Sequence, residues 1–296
     1  MRVTVTGGAG FIGTALVDNL LAYNHEVVIL DNLSASVEPE KREGMKFIKG
    51  DVHTMNDVWL ATKDAEVVYH LACCGISESQ RDPSRCYSTN VLGTMNVLDC
   101  ARERKQRVVY ASSCSVYGNR SEMIEEDAPL DAWTPYAAAK IAGEAYCAAY
   151  HRLGWVKSVV LRPSNVYGPG QHPDRHEGVV AKFIRHKIKG ERAVVYGDCF
   201  VRDFTYIEDV AVGFRRALDH EEHGPYNVAS GSGLSVDSLA RMIGVEYEYS
   251  KPRETDFVTT RVLSNQRISA ALGWRPWTKM PYGLFKTEEW LKKVLR

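Results

Sequence analysis

The chain has 296 residues, 45% hydrophobic and 25% charged, enough to bury the core of one large domain or two moderate ones. Lys plus Arg and Asp plus Glu each number 37, so no net charge attracts a nucleic acid or an anionic membrane. No run approaches a membrane span of about 18 uncharged apolar residues, and Gly7 and Gly8 interrupt the first apolar run, so a cytoplasmic protein is expected.

The seven cysteines include no C-x-x-C pair and read as reduced, mostly buried thiols. His172-x-x-x-His176 and His220-x-x-His223 have metal-like spacing but no accompanying thiolate or carboxylate. They read as solvated loop histidines, and no metal is expected.

The first element is the β-branched run Val3-Thr4-Val5. Thr6-Gly7-Gly8-Ala9-Gly10-Phe11-Ile12-Gly13 follows and opens an apolar helix running to Leu21. Strand, glycine turn and helix make the context in which a dinucleotide pyrophosphate meets a helix N-terminus. Gly7 permits the turn, Gly10 the approach of the phosphate and Gly13 close helix–strand packing, with Phe11 and Ile12 in the first helical turn. A glycine-rich turn without a ligand has the same spacing.

Val27-Val28-Ile29-Leu30, Phe47-Ile48, Val67-Val68-Tyr69, Val108-Val109-Tyr110 and Val159-Val160-Leu161 read as buried parallel strands. Periodic segments such as Asn90 to Arg104 and Tyr136 to Leu153 separate most of them, which predicts an α/β, doubly wound parallel sheet. Ligands of such sheets bind beyond the carboxyl ends of the strands, so those positions are the candidates.

Beyond the second strand lie Asp31, Asn32 and Ser34, with Asp31 18 residues past Gly13. A carboxylate there accepts ribose hydroxyls and repels a 2′-phosphate, which favours NAD over NADP; a turn Asp is the alternative. Asp51 and Val52 stand where an adenine could be flanked, with a plain turn equally open, and Leu71 and Ala72 where a cofactor needs small neighbours. Asn90 is polar inside an apolar helical pattern, a costly placement that predicts a buried partner. Ser112 and Ser113 follow the next strand as turn residues or as catalytic hydroxyls. Tyr136-Ala137-Ala138-Ala139-Lys140 then opens a helix after Thr134-Pro135, with Tyr136 and Lys140 on one face. A phenol with a pKa of about 10 takes protons at neutral pH only if its anion is stabilised, which a Lys ammonium one turn away and a cationic nicotinamide would do.

Together these stretches resemble the extended short-chain dehydrogenase/reductase family, the NAD-dependent sugar-nucleotide epimerases and dehydratases. The resemblance continues through Ser115-Val116-Tyr117-Gly118, Arg162-Pro163-x-Asn165-Val166-Tyr167-Gly168-Pro169, Arg202-Asp203-Phe204-x-Tyr206-Ile207-x-Asp209-Val210 and Leu272-Gly273-Trp274-x-Pro276. It implies a Rossmann-type NAD-binding domain over 1–165, with 199–229 returning to it. A smaller, discontinuous α/β substrate domain would comprise 166–198 and 230–296.

Carried over by position, Ser113 would be the catalytic hydroxyl, Tyr136 the proton acceptor, and Lys140 the residue that holds the nicotinamide ribose and lowers the Tyr136 pKa. Pro163 and Val166 would line the nicotinamide, and Asn165 would meet a phosphate of the nucleotide sugar. Arg202 and Arg253, the latter in Arg253-Glu254-Thr255-Asp256, would grip the diphosphate, although the family's usual pattern there is Arg-x-Gly-Asp. Val179 and Phe183, on a helix from Val179 to Lys189 ahead of the strand Val194-Val195-Tyr196, would face the base; a packing role for Phe183 is equally open.

The 4,6-dehydratases of this family place Asp-Glu directly after the catalytic hydroxyl, and the uronate decarboxylases carry a Glu in this stretch. Here those positions are Cys114 and Ser115, neither a competent acid/base at neutral pH. A 4-epimerase needs no such group. The resemblance therefore implies NAD-dependent epimerisation at C4 of a UDP-hexose, resembling UDP-glucose 4-epimerase, with dehydratase or 4-keto reductase as alternatives. A non-catalytic NAD-binding protein would not need Ser113, Tyr136 and Lys140. Thr260, four residues past Asp256, stands where the family's epimerases gate room for an N-acetyl group. The family also implies a homodimer through helices containing Asn90–Arg104 and Tyr136–Leu153.

Overall fold

The computed structural model describes residues 1–174, 178–197, 200–252 and 258–295. They form two compact units. The first comprises Met1–Val116, Ala132–Arg162 and Ala211–Tyr226; the second comprises Tyr117–Asp131, Pro163–Val210 and Asn227–Arg296. The return segment is shorter than 199–229, and 117–131 groups with the second unit rather than with 1–165. The strand Val201–Tyr206 explains the first difference, because its backbone is hydrogen-bonded into a sheet of the second unit.

The large sheet contains β1 (Arg2–Thr6), β2 (Glu26–Asp31), β3 (Met45–Lys49), β4 (Val67–His70) and β5 (Arg107–Ala111). With β7 (Ser158–Pro163) and β11 (Tyr226–Val228) the order is β11-β7-β5-β4-β1-β2-β3. Every pairing from β3 to β7 is parallel. All residues of β4 and β7 are buried, which is why these strands read as continuous apolar runs rather than alternating ones. The chain steps outward from β1 to β2 and β3, then returns past β1 to β4, β5 and β7, so the order reverses between β1 and β4. That is the switch point at which doubly wound sheets bind ligands.

Helices α1 (Phe11–Ala22), α2 (Met55–Ala61), α3 (Ile76–Arg81), α4 (Pro83–Cys86), α5 (Gly93–Arg104) and α6 (Pro135–Arg152) belong to this unit. Leu98, Val97, Tyr110, Val160 and Cys147 meet in one core cluster, so α5 and α6 share the apolar layer of the sheet. Helix α6 starts where its sequence says: Thr134 Oγ1 accepts the Ala137 N–H at 3.1 Å, and Pro135 fills the first turn. It lies so close to β5 that a Cβ on Gly143 would sit 2.2 Å from the Tyr110 hydroxyl.

The helix expected from Asn90 differs at its start, for Tyr87–Leu92 is a π-turn that passes into α5. The wider turn lets Asn90 reach a buried partner, the backbone of Cys74: Oδ1 accepts the Cys74 N–H at 2.7 Å and Nδ2 donates to the Cys74 carbonyl at 3.1 Å.

The second unit holds β6 (Met123–Ile124), β8 (Asn165–Tyr167), β9 (Ala193–Tyr196), β10 (Val201–Tyr206), β12 (Gly233–Ser235), β13 (Tyr247–Ser250) and β14 (Thr260–Leu263). Five of them run β12-β10-β14-β6 with β8 also on β10, and β9 pairs with β13 alone. Helices α7 (Val179–Lys189), α9 (Val236–Ile243), α10 (Gln266–Leu272) and α11 (Met280–Val294) belong to it, and α8 (Ile207–Arg216) starts in it and continues into the first unit from Ala211.

Two acidic residues tie this unit together. Asp203, fully buried, accepts from Ser230 N and Oγ, Gly231 N and Leu263 N, joining β10 to β14 and to the loop after Ala229. Asp209 takes the Trp274 indole N–H on its carbonyl at 2.8 Å and Thr278 N and Oγ1 on its carboxylate. The Leu272-Gly273-Trp274 stretch is thus bonded to α8.

Among the described residues no three His, Cys, Asp or Glu side chains gather to hold a metal, and no helix is long and apolar enough to cross a membrane. The histidines at 220 and 223 are half-buried rather than solvated. The first meets the Tyr226 hydroxyl at 2.8 Å and the second Ser158 Oγ at 3.1 Å. His176 lies outside the described residues.

Candidate active site

The glycine turn sits at the switch point. Gly7 has φ +69°, and a Cβ there would lie 2.6 Å from the Ala72 backbone N, because the chain leaving β4 crosses directly over it. A Cβ on Gly13 would meet the Gly7 carbonyl at 2.1 Å, so α1 cannot sit this close to the turn with any larger residue. A Cβ on Gly10 would meet only the Gly7 carbonyl, at 3.2 Å, and faces open space otherwise. Gly10 caps α1 without a side chain, and no acidic residue occupies the first turn. A helix N-terminus with no capping side chain and no acidic residue of its own favours an anion such as a pyrophosphate.

Asp31, at the end of β2, accepts Ala9 N at 3.1 Å, Leu33 N at 2.8 Å and Ser36 Oγ at 3.1 Å. It therefore ties the glycine turn to the second strand, and these donors occupy three of a carboxylate's roughly four acceptor sites. Asn32 Nδ2 donates to Asp51 Oδ2 at 2.6 Å, Asp51 also faces His53 at 2.8 Å, and Ser34 N bonds the Asn32 side chain. Asp51 is thus bonded to Asn32, and Val52, next to it, is buried against Gly93.

Below Leu71 and Ala72 runs a buried relay. Thr94 Oγ1 donates to the Asn90 carbonyl and so receives from His70 Nε2 at 3.0 Å, while Thr6 Oγ1 donates to His70 Nδ1 at 2.8 Å and accepts Ala72 N. The imidazole is neutral, its pKa pushed down to about 3 by burial and then by the Lys140 charge. The relay bonds the backbone after β4 to β1 and α5.

The three residues with candidate catalytic roles all lie in the first unit. Ser113 follows β5 and its Oγ accepts Ser115 N at 3.1 Å, at the head of the 3₁₀ turn Cys114–Tyr117. Tyr136 is half-buried in the first turn of α6, its backbone N–H donating to Ser79 Oγ at 3.2 Å. Lys140, one turn later, is 3% exposed; its Nζ donates to the Ala111 carbonyl at 2.6 Å and stands 5.7 Å from the centre of the Tyr136 ring. Burial lowers the Lys140 pKa, and Cys73, Cys86 and Glu144 act against that fall. The Ala111 carbonyl that holds the ammonium is two residues from the Ser113 hydroxyl, so β5 and α6 present the pair together.

Behind them lies a group that sequence reasoning missed. Arg162, on β7, donates from Nε to Glu144 Oε1 at 2.8 Å and from Nη2 to Oε2 at 2.5 Å, with both side chains buried. Ser112 Oγ also donates to Glu144 Oε1. Its signal was present in part: Glu144 continues the Tyr136–Lys140 face by one more turn. Nothing in the sequence pairs it with Arg162.

In the second unit the substrate candidates are engaged with their own fold. Arg202 donates to the carbonyls of Val201, Val258 and Thr259 at 2.7–3.0 Å, bracing the backbone ahead of β14. Asn165 Nδ2 donates to the Asp203 carbonyl at 2.9 Å, and Val166 pairs in register with Thr205 on β10. Pro163 closes β7 and is buried. Val179 opens α7 half-buried, whereas Phe183 is buried in the core. Asn119 was not foreseen: its Oδ1 accepts Thr259 N, Thr259 Oγ1 and Thr260 N at 3.0–3.2 Å and so holds the strand that carries Thr260. Arg253 and Asp256 lie outside the described residues.

A glycine turn at the switch point of a doubly wound sheet, a carboxylate at the end of β2, and Ser113 after β5 beside Tyr136 and Lys140 on α6 are the arrangement expected of a dinucleotide-dependent enzyme. Residues 3–229 match the model of the NAD dependent epimerase/dehydratase family, and the chain belongs to that family. It is 36% identical to the UDP-glucose 4-epimerase of Mycolicibacterium smegmatis, over 99% of each chain. Its fold superposes on the Thermotoga maritima UDP-glucose 4-epimerase crystallised with UDP-glucose, with TM-score 0.95, 30% identity and 100% of both chains covered. The Thermus thermophilus UDP-glucose 4-epimerase complexed with NAD gives TM-score 0.92 and 35% identity over 99% of each chain. Uronate decarboxylases and 4,6-dehydratases also match, at 27–30% identity.

Proposed function

We propose that the chain interconverts UDP-hexoses by NAD-dependent inversion at C4. The observation that carries this reading is the turn after Ser113. Cys114 and Ser115 are 4% and 8% exposed, so the two positions that a dehydratase fills with carboxylates carry neither a carboxylate nor an open side chain. Glu144, the carboxylate behind Ser112, is committed to Arg162.

The residues at hand suit NAD. The open first turn of α1 beyond Gly10 would take the pyrophosphate, Asp31 a ribose hydroxyl in competition with Ser36, and the Asp51–Val52 turn the adenine side. Leu71, Ala72 and Asn90 would shape the floor, and Lys140 would hold the nicotinamide ribose. Bound NAD supplies reversible hydride exchange with C4 of the sugar. Tyr136 takes the proton of the C4 hydroxyl as the 4-keto sugar forms and returns it after the sugar has turned over, while Ser113 orients the same oxygen. The Lys140 ammonium lowers the cost of the Tyr136 phenolate by an opposite charge in a dry site. Asn165, Arg202 and Arg253 are the candidates for the phosphates, and Val179 and Phe183 for the base end.

Thr260 leaves a small side chain at the family's gate position, which favours admission of N-acetylhexosamines. A homodimer through α5 and α6 is supported by exposed residues at these helices: Leu92, at the end of the π-turn that enters α5, and Tyr146 on α6 are 39% and 40% exposed, and Ala138, Ala145 and Ala149 on α6 are exposed as well. Free cysteines throughout the described residues suit the reducing cytoplasm.

The test is a panel of nucleotide sugars incubated without added reductant, with products resolved by NMR. UDP-glucose and UDP-galactose should interconvert without loss of water or CO₂. A water-loss product would reverse the assignment to a dehydratase, and turnover confined to UDP-Glc, with none on UDP-GlcNAc, would remove the gate reading.

A further inference from the structure

Tyr136, Lys140 and Glu144 repeat at four-residue intervals and so share one face of α6. Two of them are fixed to the end of β5. Lys140 Nζ is on the Ala111 carbonyl, and the Glu144 carboxylate takes the hydroxyl of Ser112, the residue between that carbonyl and Ser113. Arg162 closes the arrangement from β7 with two parallel N–H donors, a geometry that fixes orientation as well as charge.

We propose that Glu144, with Arg162 as its counter-charge, is a positioning residue for catalysis: it sets the register of Tyr136 and Lys140 against Ser113 and the charge balance in which both titrate. The proposal rests on the reading of Tyr136 and Lys140 as the catalytic pair. Glu144 does not touch the sugar; it acts through Ser112 and Lys140. The groups facing Lys140 are Tyr136, Glu144 and Cys147 on its own helix, Tyr110 on β5, His70 at the end of β4, Cys73 beyond it and Cys86 on α4. Of these, Glu144 is the carboxylate, and Arg162 answers it.

Glu144→Gln keeps the shape and removes the negative charge, leaving the Arg162 charge uncompensated beside the pair. Extra positive charge favours the Tyr136 phenolate and disfavours the Lys140 ammonium, so both pKa values fall. The expected result, in a profile of kcat against pH for epimerisation of UDP-galactose by the NAD-loaded full chain, is a shift of both limbs to lower pH by about 1 unit. Glu144→Asp, which keeps the charge, should restore the limbs to their wild-type positions at a lower kcat. Arg162→Lys keeps both charges but loses the fork, and should lower kcat about ten-fold through misplacement with the limbs unmoved.

A Glu144→Gln profile scaled down evenly at every pH would make the residue merely structural and overturn the proposal, as would wild-type kcat in Arg162→Lys. If Glu144→Gln alone does not fold, Glu144→Gln combined with Arg162→Gln removes both charges; wild-type kcat in that variant would likewise overturn it, as would a fall in kcat that comes with a raised KM for UDP-galactose or a lowered Tm, whereas a lowered kcat with KM and Tm at wild-type values would support it. The underlying reading fails separately, if Tyr136→Phe or Lys140→Met keeps near-wild-type turnover.

Discussion

Two buried carboxylates, one in each unit, are handled in opposite ways. Glu144 is buried beside full charges: Arg162 forks onto it and Lys140 stands one turn away. Asp203 is buried among neutral donors, with Ser230, Gly231 and Leu263 supplying the hydrogen bonds, and burial pushes its pKa up. Neutral donors suffice to join β10 to β14, because a carboxylate that accepts several N–H and O–H bonds is stabilised without a second desolvated ion. Burying three ions together is expensive and adds little net stability over apolar side chains of the same volume. The first unit bears that cost where proton transfer is proposed, and the second uses its acid to close a sheet.

The largest test of that contrast is Tyr136→Phe, which removes the proton acceptor and leaves the fold alone. Turnover should drop by about a thousand-fold while NAD stays bound, read as the cofactor's absorbance co-eluting with the protein. Retained turnover would take the chemistry away from the first unit. Next is Asp203→Asn, which puts an amide N–H₂ against donors already aimed at the carboxylate. It should cost about 3 kcal/mol in urea denaturation, since a buried donor is left without an acceptor. A cost near zero would mean that Asp203 is not the tie between β10 and β14.

The smallest effect on stability is expected from Lys140→Met. The folded-state pKa of Lys140 is lowered, so the ammonium costs stability at every pH below its ordinary value near 10.5. The variant should lose most of its turnover and yet melt at the same temperature as the wild type or a few degrees higher. A clear fall in Tm would show that the buried ammonium is structural, and would erase the contrast with Asp203.

The first unit was legible because its strands are buried on both faces and therefore read as Val- and Ile-rich runs, and because its turn, caps and Tyr-x-x-x-Lys pair are local patterns. The second unit was less so. Its strands β6, β8, β12 and β14 have two to four residues, too short for an alternation to be seen. Phe183 could be read toward a ligand or toward the core from an amphipathic helix alone, and it packs in the core. Arg202 read as a phosphate fork, and its guanidinium is also a brace for three carbonyls of its own chain.

By itself, the sequence determined the doubly wound class and NAD as cofactor, and it put forward the glycine turn and the Tyr136–Lys140 pair from residue types at short, fixed spacings, with Ser113 from the family resemblance. Only the tertiary structure decided what those residues lean on. The π-turn that brings Asn90 to Cys74, the relay from Thr6 through His70 to Thr94, and the Glu144–Arg162 pair join residues 16 to 64 positions apart. Such partners meet because parallel strands place their carboxyl ends side by side, and no local pattern records which strand will be the neighbour.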